Sequence, residues 1–246
     1  MNLHTKKVLS LGSLRIEVPA IVASLSGDVI KKAEMAEDMG ADLVEVRLDL
    51  VTGDPLRVAR DLRGVTSLPI IATNRMRQEG GQFKGGERER LALLCQASHW
   101  ADLVDVELRA EGRDWFMKSA EVPYIISYHD FEGMPDPLVL ESLLSDMFKS
   151  GANIAKVAVT PRNLNDALEL LGFLLKTDNP ICMMGMGEIG RHLRALAPLY
   201  GSVFTYGYIG EKTAPGQMSV EMLRVTLDIL MKISSDYSGE HVHHND

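Results

Sequence analysis

Asn153-Ile154-Ala155-Lys156-Val157-Ala158-Val159 is a short apolar run with one amine in its middle. Its length, its β-branched content and the Gly151 before it predict a buried strand of a parallel sheet, where both faces are covered and no polar alternation shows. Lys156 is the exception within it. Desolvating an ammonium is costly, so a lysine is almost never fully buried unpaired, and burial tends to depress its pKa instead. A lysine lowered toward neutral pH can attack a ketone or aldehyde and form a Schiff base. The plain alternative is a lysine at a strand end whose stem packs while its amine reaches solvent.

On both sides of this run, strand-like and helix-like patterns take turns. Strands are predicted at 21–24, 43–48, 70–73, 103–106, 124–127, 154–159, 181–184 and 203–206, with amphipathic helices at 29–39, 87–100, 137–149, 164–176 and 219–233 among others. Parallel neighbours need crossover helices, so eight strands with helices between them predict an α/β fold of the (β/α)8 TIM-barrel type. A doubly wound open sheet is the alternative. The segment 8–18 alternates weakly around Gly12-Ser13 and predicts an N-terminal β-hairpin. With no linker or break in composition, one domain is expected over 1–246, with a hairpin to about residue 18 and a polar tail from about 236. His241, His243 and His244 in that tail are read as part of a frayed end.

A chain of 246 residues with 46% apolar composition can bury one large core. It contains no apolar run approaching the roughly 18 residues of a membrane span, and no secretory signal follows Met1, so a cytoplasmic location is expected. Its net charge of −8 disfavours nucleic acid as a partner. Any acidic substrate must therefore be held by local Arg or Lys. Cys95 and Cys182 lie far apart without metal-ligand spacing and read as inert thiols, so no metal site is expected.

In such a barrel the chemistry sits at the C-terminal ends of the strands, where several polar residues fall. Glu45, Arg47 and Asp49 alternate with Val44, Val46 and Leu48, which places the three charges on one face, either inside the barrel or on an exposed edge. Arg75 and Glu79 precede the glycine-rich stretch Gly80-Gly81-Gln82-Phe83-Lys84-Gly85-Gly86, where glycines permit close approach and movement over a site. His129 falls just past the apolar run 124–127, where a histidine can serve as general base or acid. After Met183-Met184-Gly185-Met186, Arg191 and Arg194 stand on a predicted helix; the small residues there could cradle a phosphate, or an Arg could instead hold a carboxylate in paired hydrogen bonds. The stretch Gly207 to Gln217, with Thr213 inside it, reads as a substrate-covering lid or as a turn punctuated by Pro215-Gly216.

Together these blocks resemble the type I 3-dehydroquinate dehydratases. The likeness spans Glu45 to Gln217 and rests on Glu45-Val46-Arg47-Leu48-Asp49; Arg75 with Glu79-Gly80-Gly81; Ser127-Tyr128-His129-Asp130-Phe131; Lys156-Val157-Ala158; Met184-Gly185-Met186; and Ala214-Pro215-Gly216-Gln217. The resemblance implies a (β/α)8 barrel, a homodimer, and dehydration of 3-dehydroquinate to 3-dehydroshikimate without metal or added cofactor. It implies that Lys156 forms an imine with the C3 ketone, and that His129 removes the C2 proton and then protonates the departing C1 hydroxyl. Glu79 would orient His129. Glu45, Arg47 and Arg75 would contact substrate hydroxyls, Arg194 and Gln217 would hold the substrate carboxylate, and Thr213 would be a further substrate-binding residue. By the same likeness a nearby guanidinium would help keep Lys156 neutral.

The chain departs from the family pattern at Thr213, where serine is usual, and at Tyr206, where phenylalanine is common. A buried Tyr206 needs a partner for its hydroxyl. The rival readings are a Schiff-base aldolase acting on a sugar phosphate, which should grip phosphate through backbone amides, and a barrel without catalysis, which has little reason to keep Lys156, His129 and Glu79 together.

Overall fold

The computed structural model describes residues 7–212 and 216–236. Strands β1 (Lys7–Leu11) and β2 (Leu14–Val18) form the expected antiparallel hairpin, turned through Gly12 at φ +62°. The chain then alternates β3 (Ala20–Leu25), α1 (Val29–Ala36), β4 (Leu43–Arg47), α2 (Pro55–Val65), β5 (Ile70–Thr73), α3 (Glu87–Ala97), β6 (Leu103–Glu107) and α4 (Arg113–Ser119). It continues with β7 (Tyr124–Asp130), α5 (Pro137–Lys149), β8 (Ile154–Val159), α6 (Leu164–Leu174), β9 (Ile181–Gly185), the short α7 (Gly187–Gly190), α8 (Leu193–Tyr200), β10 (Phe204–Tyr208), the two-residue β11 (Met218–Ser219) and α9 (Val220–Asp236).

All pairings from β10 through β3 to β9 are parallel, in the order β10-β3-β4-β5-β6-β7-β8-β9, with β11 alongside β10. The seam between β9 and β10 is bridged at its base. The Val203 amide donates to the Ile181 carbonyl at 2.8 Å, and the Ser202 hydroxyl accepts from the Met183 amide at 3.1 Å. The predicted TIM barrel is the observed architecture, with the hairpin outside the main sheet.

Helix starts follow their caps. Asp54 and Asp136 each accept from the amide two residues on, with a proline in the first turn, and Asn163 accepts from Asn165 and Asp166. Such caps satisfy amides that the helix leaves without partners. One boundary differs in a way that matters. The strand predicted at 124–127 runs on to Asp130, because β8 continues to pair with it through His129↔Ala158 and Asp130↔Val159. His129 therefore belongs to the sheet and is not in a loop beyond it.

Strand alternation sorts the core into two layers. Outward residues such as Val44, Val46, Val104, Val106, Val157 and Val159 pack against helix residues including Leu62, Leu94, Leu140 and Leu170. Inward residues Val22, Leu43, Ile71, Leu103, Ile125, Ile154 and Phe204 fill the lower barrel, and Leu11, Ile16 and Val18 of the hairpin join that cluster. Each fully buried aliphatic contributes about 1.5–3 kcal/mol relative to exposure. This apolar floor closes one end of the barrel and leaves the other to polar residues.

Candidate active site

Two residues beyond the inward aliphatic, six strands turn polar. Ser24, Glu45, Thr73, Asp105, Ser127 and Lys156 form this layer, and all are buried. At its centre Lys156 Nζ donates to Asp105 Oδ2 at 2.8 Å, lies 3.6 Å from Glu45 Oε1, and stands 4.2 Å from the centroid of the Tyr206 ring. Snorkelling is ruled out for this lysine, whose side chain is only 4% exposed.

Its carboxylate neighbours are themselves held. Glu45 accepts from Ser24 Oγ and from Thr73 Oγ1, each at 2.9 Å. Asp105 accepts from Ser127 Oγ at 2.6 Å and pairs with Arg75 Nη2 at 2.9 Å. Burial pushes the Asp105 pKa up, but Arg75 and then Lys156 outweigh it and hold this carboxyl well below the usual carboxylate range. Arg75 also donates through Nη1 to Glu107 Oε1 at 2.9 Å and to Ser127 Oγ at 2.7 Å. The groups nearest the amine are thus carboxylates, while the guanidinium of Arg75 reaches it only through Asp105.

His129 sits one strand from Lys156 and two residues further up the barrel, since Ser127 is the residue level with Lys156. Glu79 Oε2 accepts from the His129 amide at 3.0 Å and lies 2.9 Å from its Nδ1. Burial first, then Arg75 and Lys156, push the His129 pKa well below its ordinary value, so the imidazole is neutral near pH 7. An ionised Glu79 accepts Nδ1–H and leaves Nε2 as the basic nitrogen. Burial raises the Glu79 carboxyl, against the pull of Arg75, to about 7.

Glu79 closes a 3-10 turn (Arg77–Glu79) followed by Gly80 at φ +83°. A Cβ on Gly80 would meet the Phe131 ring at 2.7 Å, and one on Gly81 would overlap the Arg75 carbonyl. Close approach is the reason for these two glycines, and it presses the Glu79 turn against the site.

Arg194, at the start of α8, is 4% exposed and donates through Nη1 to the Tyr206 carbonyl at 3.2 Å. Its Nε has no hydrogen-bond partner among the described residues, and no carboxylate among them pairs with it. Burial draws its pKa down to about 10. A buried cation without an anion is costly, which makes this a place to receive one.

Lys156, His129, Glu79, Glu45, Arg47, Arg75, Arg194 and Gln217 all line a single cavity of about 200 Å³, with Met184, Met186 and Tyr206 in its wall. Thr213 lies outside the described residues. Arg191 faces a different hollow with Glu188 and His192. Asp49 departs from its expected place. Strand β4 ends at Arg47, so Asp49 lies in the turn beyond, where it accepts from Arg47 at 2.8 and 2.9 Å and from the Gln82 amide at 3.0 Å. It braces Arg47 and does not line the cavity. Sequence reasoning missed Asp105 and Glu107, although Leu103-Val104-Asp105-Val106-Glu107 alternates as Leu43-Val44-Glu45-Val46-Arg47 does. Among the described residues no group of three His, Cys, Asp or Glu could hold a metal ion, and no helix is long and apolar enough to cross a membrane.

A family model described as Type I 3-dehydroquinase matches residues 19–234. A 3-dehydroquinate dehydratase from Methanothrix thermoacetophila is 52% identical over 222 residues, covering 90% of this chain and 96% of that protein. The 3-dehydroquinate dehydratase from Geobacillus kaustophilus superposes with a TM-score of 0.84 at 30% identity, covering 94% of this chain and 99% of its own. The Clostridium difficile type I enzyme, solved with covalently modified comenic acid, gives a TM-score of 0.82 at 30% identity, covering 93% of this chain and 99% of its own.

Proposed function

This chain belongs to the type I 3-dehydroquinase family, and on that premise we propose that its barrel cavity is the active site of a 3-dehydroquinate dehydratase, a hydro-lyase of the shikimate pathway. The observation that carries the assignment of residues is that Lys156 and a neutral His129 line the same cavity of about 200 Å³.

Lys156 attacks the C3 ketone and, after loss of water, becomes a protonated imine. The cationic imine draws electrons from the adjacent carbon and acidifies its C2–H bond. His129 accepts that proton, its Nδ1–H held by Glu79, and its conjugate acid delivers a proton to the C1 hydroxyl as the C1–O bond breaks. Hydrolysis of the imine returns the amine and releases 3-dehydroshikimate. Arg194 and Gln217 hold the substrate carboxylate, which supplies the anion that Arg194 lacks among the described residues, and Thr213 is a further substrate-binding residue. Glu45 and Arg75 set the charge around Lys156 and, with Arg47, meet the substrate hydroxyls.

The same reading extends to a single-domain chain in the cytoplasm, working as a homodimer without nucleic-acid or membrane partners and without an added cofactor. Sedimentation of the purified protein tests the dimer.

Incubation with 3-dehydroquinate followed by borohydride, with peptide mass spectrometry, tests the chemistry. An adduct on the Lys156 peptide, with enone absorbance in the unreduced sample, is the expected result. Folded protein that gives neither signal refutes the assignment, and cleavage of a sugar phosphate in its place would favour the aldolase alternative.

A further inference from the structure

Tyr206 lines the cavity, yet the dehydration steps make no use of it. It is buried, and its hydroxyl has no hydrogen-bond partner among the described residues. Two other parts of the residue are engaged. Its ring face lies 4.2 Å from Lys156 Nζ, and its carbonyl accepts from Arg194 Nη1 at 3.2 Å. One residue therefore touches both the amine that would bond the ketone and the guanidinium that would hold the carboxylate.

The ring differs from the other partners of Lys156 in what it requires. Asp105 at 2.8 Å and Glu45 at 3.6 Å serve the amine as hydrogen-bond and charge partners. An ammonium offers three N–H groups, but a protonated imine keeps one. When the imine forms, the carboxylates lose donors. A ring face needs none, because its quadrupole attracts the positive charge itself, and burial strengthens that attraction. Burial, and next Glu45, push the Tyr206 phenol well above its ordinary pKa, so the ring stays neutral.

We propose that Tyr206 is a positioning residue of the reaction, whose ring face holds the Lys156 nitrogen in place and stabilises its positive charge through the imine stage, while its carbonyl fixes Arg194 relative to that nitrogen. This rests on the Schiff-base reading of the site.

The test replaces Tyr206 by phenylalanine and then by mono-, di- and trifluorophenylalanine, which weaken the ring quadrupole with little change of size. Y206F is expected to keep kcat within about threefold of the parent. Across the fluorinated series kcat should fall steadily, by roughly three- to thirty-fold at the trifluoro ring. KM should stay nearly constant, and the borohydride-trapped fraction should fall in parallel with kcat. A flat series, in protein that still traps the imine, overturns the role of the ring and leaves the dehydratase reading intact. A Y206F protein as impaired as the trifluoro variant overturns it too, because the hydroxyl would then be the active part. If the unaltered protein traps no imine with 3-dehydroquinate, the Schiff-base reading has failed and the role of the ring fails with it.

Discussion

Lys156 Nζ donates a 2.8 Å hydrogen bond to Asp105 Oδ2, and both side chains are buried. Asp105 also holds Arg75 at 2.9 Å, so one carboxylate neutralises two cations. Asp105→Asn keeps the shape and removes the charge, leaving Lys156 with Glu45 at 3.6 Å and Arg75 with Glu107 at 2.9 Å as their remaining carboxylates. Breaking a buried pair in this way costs about 3–5 kcal/mol. We expect the midpoint of urea unfolding to fall accordingly and turnover to drop by at least about a hundredfold, on the order of 2.7 kcal/mol in the barrier. Unchanged unfolding and turnover would show that Glu45 alone suffices for the amine.

Lys156→Ala has a different outcome. Asp105 retains Arg75 and Ser127, and Glu45 retains Ser24 and Thr73, so neither carboxylate is left without partners. The variant should fold, with unchanged circular dichroism, and give no borohydride adduct and no enone. Full turnover by this variant would remove Lys156 from the mechanism.

How much of this was legible in the sequence depends on the range of the interactions involved. Buried parallel strands announce themselves as short apolar runs, and the strand at Ile154–Val159 was read to its ends. Helix α2 was harder, because charges recur through Pro55–Val65 and only Ala59 and Leu62 are buried. Asp105 escaped for a physical reason. An alternating strand looks the same whether its charges face a barrel interior or solvent, and the choice is made by partners far along the chain. Arg75 meets Glu107 across 32 residues and Ser127 across 52. His129 looked like a loop residue because its place in the sheet depends on pairing with β8, which no local pattern records. That Arg194 meets no anion among the described residues has no sequence signature at all.

Glu79 should set the acid limb of the activity profile. Its carboxyl is raised to about 7, whereas His129 is neutral throughout this range. Only the ionised carboxylate takes Nδ1–H without ambiguity and leaves Nε2 basic, so kcat/KM should rise as pH climbs through about 7. Stability runs the other way. A carboxyl whose folded pKa lies above its unfolded value of 4.5 contributes stability that is fully present below 4.5 and is lost as pH rises through about 7. In Glu79→Gln both pH dependences should flatten, with kcat lower by about ten- to a hundredfold and imine trapping retained. An acid limb unchanged in this variant would assign it to another group.

Arg194 separates binding from stability. Arg194 is 4% exposed and pairs with no anion among the described residues, so its charge is desolvated there without an ion pair. Arg194→Met keeps much of the side-chain volume and removes that charge. Replacing a buried charge that has no ion-pair partner by an apolar group removes its desolvation cost. The variant should therefore unfold at the same or a higher urea concentration than its parent. Substrate binding should move in the opposite direction, because a hydrogen-bonded charge pair contributes about 1.5–3 kcal/mol, equivalent to a rise in KM of roughly ten- to a hundredfold. Loss of stability together with an unchanged KM would mean that Arg194 is a structural cation held by the Tyr206 carbonyl, and that the substrate carboxylate is gripped elsewhere.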